Sequence, residues 1–181
     1  MYPGSFDPLT IAHVALAEAA LAELSLDRVD LCLSVDPLGK PHLARTVGER
    51  LERIRASLQG RAGLEVVTTP HRLVADIAEG YDVVVLGADK WEQVLDPGWY
   101  GGDPDRRDHA LARLPLVALA GRAGSAGSAP PLPGVRVHRL EVADHLAEVS
   151  STGVRDGRTE WAAEDGRPDD AGRPDGLTGP E

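Results

Sequence analysis

The chain of 181 residues contains one cysteine, Cys32. A lone thiol excludes an internal disulfide and any cysteine-built metal site. It sits in an apolar run and reads as a buried, inert thiol. Aromatic residues are only 4 % of the total, so the core must be filled mainly by Leu, Val and Ala. Bases are scarce too: 19 Lys and Arg face 29 Asp and Glu, a formal charge of -10. That balance argues against nucleic acid or an anionic membrane as partner, because both require clustered cations facing phosphate. A small phosphorylated ligand needs only a few local donors and stays open. There is no apolar stretch near the ~20 residues that span a bilayer, and no secretory leader is recognisable. The default compartment is the cytoplasm.

The pattern that is present alternates strands with helices. Segments 28–35, 64–68, 81–86, 114–120 and 135–140 read as strands. The unbroken runs VVVL and LVALA suit strands covered on both faces, as in a parallel sheet. Between them, 11–24 is rich in Ala and Leu, which favour helix. Segment 46–58 opens with Thr46 and Glu49 at capping-box spacing, and Leu51, Ile54 and Leu58 then share one face. A shorter helix is expected over 72–79, and another over 90–95, for which Asp89 is either the cap or part of a ligand site. The fold class is therefore α/β, a Rossmann-like, doubly wound, mainly parallel sheet with helices on both faces and right-handed crossovers. Residues 121–134, rich in Gly, Ala, Ser and Pro, read as a loop. From Asp156 onward eight acids meet three bases and aliphatic residues nearly vanish. Such a segment buries too little apolar surface to order itself. One domain over 1–156 and a disordered acidic tail over 157–181 are expected, with at most a brief helix at 159–164. The first strand is the weak place. Only Met1 and Tyr2 precede what reads as a Pro3-Gly4 turn, and a two-residue central strand is unusually short. This predicts further residues upstream, lost by truncation or a late start codon.

The chemistry concentrates at the two ends of the α/β stretch. In Gly4-Ser5-Phe6-Asp7-Pro8-Leu9-Thr10-Ile11-Ala12-His13 a glycine allows a sharp turn and close ligand approach. Thr10 can cap the following helix and His13 lies in its first turn. A helix N-terminus with such donors is an anion site. Far downstream, Ser150-Ser151-Thr152-Gly153-Val154-Arg155 offers hydroxyls and a multi-donor cation suited to phosphate. In Leu86-Gly87-Ala88-Asp89-Lys90-Trp91, Gly87 and Asp89 fall at the C-terminal end of a strand, where open α/β sheets bind ligands. Read from the residues alone, each segment equally fits a capped helix or ordinary packing.

GSFDPLTIAH resembles the first signature of the adenylyltransferase/cytidylyltransferase superfamily, G-x-F-D-x-x-[HT]-x-G-H, with Ala12 in the place of a glycine. SSTGVR resembles its second signature. LGADKW followed by Trp99 is similar to the G-x-D...W region of nicotinate or nicotinamide mononucleotide adenylyltransferases. The threonine form of the first motif, the Gly39-Lys40-Pro41-His42 loop and TVGERL resemble phosphopantetheine adenylyltransferase. The resemblance implies transfer of AMP from ATP to the phosphate of a small acceptor, with release of pyrophosphate. It implies that Thr10 and His13 contact the nucleotide phosphates and that Ser5 and Phe6 lie beside acceptor and nucleotide. Gly4, Gly87, Asp89, Ser150, Ser151, Thr152 and Arg155 belong to the ATP site on the same reading. Lys40 acts at the reacting phosphate, and Trp91 and Trp99 lie by the acceptor. Mg2+ rides on the triphosphate with few protein ligands, and no dedicated metal site is expected. A pyridine mononucleotide is the favoured acceptor. Phosphopantetheine, CTP in place of ATP, a non-catalytic nucleotide-binding relative and a homo-oligomer all stay open. A dinucleotide oxidoreductase is disfavoured because no G-x-G-x-x-G follows the first strand.

Overall fold

The computed structural model describes residues 1–39, 43, 45–120 and 134–163. The expected loop at 121–133, Lys40 with Pro41 and His42, and the tail from 164 lie outside the described residues. Strands are β1 (Tyr2–Gly4), β2 (Val29–Ser34), β3 (Leu64–Thr69), β4 (Val83–Leu86), β5 (Leu116–Ala120) and β6 (Val137–Leu140). Helices are α1 (Ile11–Glu23), α2 (Val47–Ser57), α3 (Val74–Ile77), α4 (Ala88–Leu95), α5 (Pro104–Ala112) and α6 (Ser151–Arg155). Short 3-10 turns occupy Pro97–Tyr100, Asp144–Leu146 and Thr159–Trp161.

Two parallel three-stranded sheets, β1-β2-β3 and β4-β5-β6, meet along the edge where β1 faces β4. The Met1 ammonium donates to the Val83 carbonyl at 2.7 Å, and the Val85 amide donates to the Met1 carbonyl at 2.8 Å. The strands thus run β3-β2-β1-β4-β5-β6 across one continuous surface. The apolar runs explain the layers. On β2, Leu31 and Leu33 enter one core and Cys32 the other. On β4, Val83 and Val85 part from Val84 and Leu86 in the same way. With a side-chain period of two, a strand that is apolar throughout must be covered on both faces. Helices α1 and α2 cover one face, while α3, α4 and α5 cover the other.

Three local expectations need correction. Pro3 and Gly4 are not a turn but the end of β1, paired with Cys32 and Leu33; backbone neighbours on both sides outweigh the local turn preference of Pro-Gly. The helix expected over 72–79 shrinks to the single turn Val74–Ile77, since Leu73 supplies no side-chain cap. Helix α4 is capped by Gly87 rather than Asp89, which lies in its first turn. Backbone pairing reaches beyond 156 among the described residues. Ala162 pairs with Thr10, and the Ala163 amide donates to the Leu9 carbonyl at 3.1 Å. The isolated composition of 157–163 gave no sign of this backbone pairing. No helix among the described residues is long and apolar enough to cross a membrane.

Candidate active site

The strand order reverses between β1 and β4, so the chains leaving their C-terminal ends diverge and open a crevice. A cleft of about 410 Å³ lies there. Gly4, Ser5, Phe6, Ala12 and His13 line it from the first segment, and Gly87, Asp89 and Lys90 from the end of β4. Ser150, Ser151, Thr152 and Arg155 line it from the late segment. Residues about 140 positions apart in sequence thus share one wall-to-wall space.

The first segment is held by a polar network. Thr10 caps α1, its hydroxyl accepting from the His13 amide at 3.3 Å. The Thr10 amide donates in return to His13 Nδ1 at 3.0 Å, closing the capping box with an imidazole in the usual place of Glu or Gln. A backbone N–H can only donate, so Nδ1 is the acceptor and the neutral ring carries its proton on Nε2. The cap therefore sets His13 as a donor at the cleft. Thr10 itself is fully buried and does not line the cleft; the expectation that it contacts phosphates gives way to a positioning role, because the cap consumes its hydroxyl. Gly4 also serves differently from expectation. Its constraint is the Phe6 ring, whose Cζ would lie 2.5 Å from a Cβ at position 4. Phe6 is 3 % exposed and packs edge-on against Tyr2 and His13, with centroids at 5.4 and 5.2 Å. It supports the histidine more than it offers a face to a nucleotide.

Helix α2 reaches under this loop. Arg50, 2 % exposed, donates to the Ser5 carbonyl at 2.9 Å. Burial pulls its pKa down and the nearby Asp7 carboxylate draws it back. Arg45 pairs with buried Asp7 at 2.7 Å. Arg50 lies within the TVGERL helix among Val47, Leu51 and Ile54, whose helical spacing marks the face that packs on the core; that spacing was the available signal for a buried arginine.

The late segment is fastened to the first. Ser151 Oγ donates to the Pro8 carbonyl at 2.8 Å, and Arg155 donates to the Asp7 carbonyl and, at 2.8 Å, to Thr152 Oγ1. Ser150 Oγ accepts from the Gly153 amide at 3.1 Å. Gly153 is required by Trp161, whose ring lies where a Cβ would stand, and the Arg158 guanidinium stacks over that ring at 4.5 Å.

At the end of β4 no side chain caps α4, whose first residues Ala88, Asp89 and Lys90 line the cleft, and a Cβ at Gly87 would meet nothing within 4 Å. Trp91 does not line the cleft. It is 4 % exposed among Val84, Val117 and Leu119, as an apolar residue on the sheet-facing side of α4 must be. Trp99 instead lines a second, narrower pocket with Arg72, Leu73, Val74 and Tyr100. That pocket adjoins the cleft and shares Pro3, Gly4, Ser5, Lys90 and Gln93 with it. Among the described residues no group of three or more His, Cys, Asp or Glu is placed to hold a metal ion.

A parallel sheet carrying two donor-rich segments at its switch point defines a Rossmann-like α/β fold with a cleft at the sheet's C-terminal edge. The family model described as cytidylyltransferase-like matches residues 1–157. The chain belongs to that family. Over 66 residues it is 47 % identical to a probable nicotinate-nucleotide adenylyltransferase of Bordetella avium, covering 36 % of this chain and 34 % of that protein. It is 39 % identical over 66 residues to the phosphopantetheine adenylyltransferase of Carboxydothermus hydrogenoformans, covering 36 % of this chain and 38 % of that protein. The matched stretch thus spans about a third of each relative. In fold the chain resembles Plasmodium falciparum nicotinic acid mononucleotide adenylyltransferase complexed with NaAD. The TM-score is 0.60 at 13 % identity, over 86 % of this chain and 80 % of that one.

Proposed function

We propose that the protein is an adenylyltransferase that moves AMP from ATP to the phosphate of a pyridine mononucleotide, releasing pyrophosphate. The observation that carries this reading is the convergence of both signature segments on one cleft that opens into a second pocket. ATP occupies the cleft and the acceptor the pocket, with Trp99 beside its ring. The acceptor phosphate attacks the α-phosphorus, so no nucleophilic side chain is needed. Catalysis rests on alignment and on stabilising developing charge, and alignment alone can lower a barrier by about 7–11 kcal/mol.

His13, set as an Nε2 donor, serves the phosphate oxygens at the head of α1, where the free helix end also favours an anion. Ala12 places a methyl on the cleft wall where the family motif has glycine, a small reduction of the space beside the nucleotide. Gly87 and the first turn of α4 leave room for the nucleoside, and Asp89 lies beside it. Ser150, Ser151, Thr152 and Arg155 form the pyrophosphate end. Ser151 spends its hydroxyl proton on Pro8, whereas Ser150 only accepts from Gly153 and keeps its proton to donate; Arg155, anchored on Asp7 and Thr152, adds the N–H groups that remain of its five and its positive charge. Lys40 keeps the role that the resemblance gives it. Among the described residues Asp89 is the one carboxylate lining the cleft, and an oxygen ligand of this kind suits Mg2+ carried on the triphosphate. The ion would neutralise phosphate charge when bound. A cytoplasmic enzyme with small-molecule substrates is the matching setting.

Pyrophosphate release tests the reading, with ATP or CTP offered against nicotinate mononucleotide, nicotinamide mononucleotide and 4'-phosphopantetheine. Release with ATP and a pyridine mononucleotide is expected. Turnover restricted to 4'-phosphopantetheine would move the protein to the second relative's chemistry. ATP binding without turnover on any acceptor would leave a non-catalytic nucleotide-binding protein.

A further inference from the structure

The cleft and the second pocket share a boundary made by Pro3, Gly4, Ser5, Lys90 and Gln93. A group passing from a nucleotide in one space to an acceptor in the other must cross that boundary, so the reacting phosphorus belongs there. Lys90 is the one cation among these residues. It stands in the first turn of α4, directly after β4, on a rigid element rather than a loop. Its Nζ donates to Gln93 Oε1 at 2.6 Å, one turn further along the same face. Composition singles it out as well. The chain has 17 arginines but only two lysines, Lys40 and Lys90. A lysine ammonium is a compact point charge on a flexible stem, suited to following a phosphoryl group as it shifts between two oxygens.

We infer that Lys90 is a catalytic residue of the transfer, its ammonium contacting the α-phosphate where cleft and pocket meet. The inference rests on the adenylyl-transfer reading and assigns a role that neither signature segment contains. In the step, a bond forms between an acceptor phosphate oxygen and the α-phosphorus. The bond from the α-phosphorus to the bridging oxygen breaks, and its electron pair leaves with pyrophosphate. Lys90 stays protonated throughout and transfers no proton. It lowers the cost of charge gathering on the α-phosphate oxygens, while Gln93 holds the ammonium at the boundary before substrate arrives.

The test compares wild type, Lys90→Met and Lys90→Arg, reading kcat and KM with ATP and nicotinate mononucleotide and, separately, the ATP dissociation constant by calorimetry. Lys90→Met is expected to lower kcat about 100-fold, the usual scale for removing one donor aimed at transition-state charge. ATP affinity should change far less, and Lys90→Arg should recover part of the lost rate. An active wild type with an equally active Lys90→Met overturns the role of Lys90 alone. A wild type that turns over none of the acceptors overturns the adenylyl-transfer reading, and this role with it.

Affinity labelling of the wild type needs no variant to fold. The probe is adenosine diphosphate carrying pyridoxal on its terminal phosphate. Its aldehyde condenses with an amine, losing water, and borohydride then fixes the imine. With two lysines in the chain, peptide mapping reads one against the other. Label on Lys90 that ATP blocks is expected. Label confined to Lys40 would contradict the assignment.

Discussion

The two signature segments face each other across one cleft, yet they are built in opposite ways. The first is anchored from below. It joins a central strand to a helix of 13 residues, and its own Asp7 and Thr10, with Arg50 beneath it, are each no more than 2 % exposed. The second is clipped on from outside. Helix α6 has five residues and none is buried; side-chain bonds to the Asp7 and Pro8 carbonyls hold it, and Trp161 packs over it. The difference teaches that the first segment is a template and the second a fitting shaped to it. Changes to the first should reach the chemical step and the stability of the domain. Changes to the second should weaken nucleotide binding and spare the fold.

The largest contrast is expected at the histidine. His13→Ala should lower kcat by about 100-fold or more, since it removes a donor aimed at transition-state charge, and should alter ATP binding much less. Steady-state kinetics alongside calorimetry reads both, and unchanged turnover would remove His13 from the mechanism. Arg155→Met should do the reverse, weakening ATP binding more than it slows turnover at saturation. A loss confined to kcat would erase the proposed division between the segments.

Stability gives the next contrast. Arg50→Leu leaves the Ser5 carbonyl without its donor, and a buried group stripped of its partner costs roughly 1–3 kcal/mol. A clear drop in Tm is expected. Trp161→Ala, on the clipped side, should leave Tm nearly unchanged and raise the KM for ATP a few fold. Equal Tm losses for both variants would show that the late segment is as integral to the fold as the early one.

The smallest effect concerns pH. The Thr46 hydroxyl and amide hold the Glu49 carboxyl below its ordinary value. A carboxylate depressed in the folded state adds stability that is present above the unfolded pKa of about 4.3. That stability is lost as pH falls through the lower folded value. Wild type and Glu49→Gln should therefore differ slightly in Tm at neutral pH and converge in acid, on thermal melts taken down the pH scale. A gap that widens in acid would reverse the sign.

How much of this was legible before the structure depended on whether a residue's partners were local. The Thr46–Glu49 box, the strands from VVVL and LVALA, and the pairing of the two signatures could be read because spacing and periodicity carry them. Thr10 could be read as a cap from its position, but its burial could not. That depends on Ala162 and Leu9, which no local pattern links. Gly4 suggested a turn because a glycine's freedom is visible in sequence, whereas the Phe6 ring against it is not. Trp91 and Trp99 looked alike in composition. Only the face of α4 and the turn at Pro97–Tyr100 send one into the core and the other to the second pocket. Arg50 was passed over because its partner, the Ser5 carbonyl, lies far away in the chain, and Lys90 because only the fold sets it where cleft and pocket adjoin.

The central claim is that AMP is the group moved, across the boundary between cleft and pocket. Incubation with ATP labelled at the α-phosphate and nicotinate mononucleotide tests it most directly. The account predicts that the label appears in a dinucleotide product while the released pyrophosphate carries none. Label left entirely in ATP, or recovered only as free AMP, would contradict it.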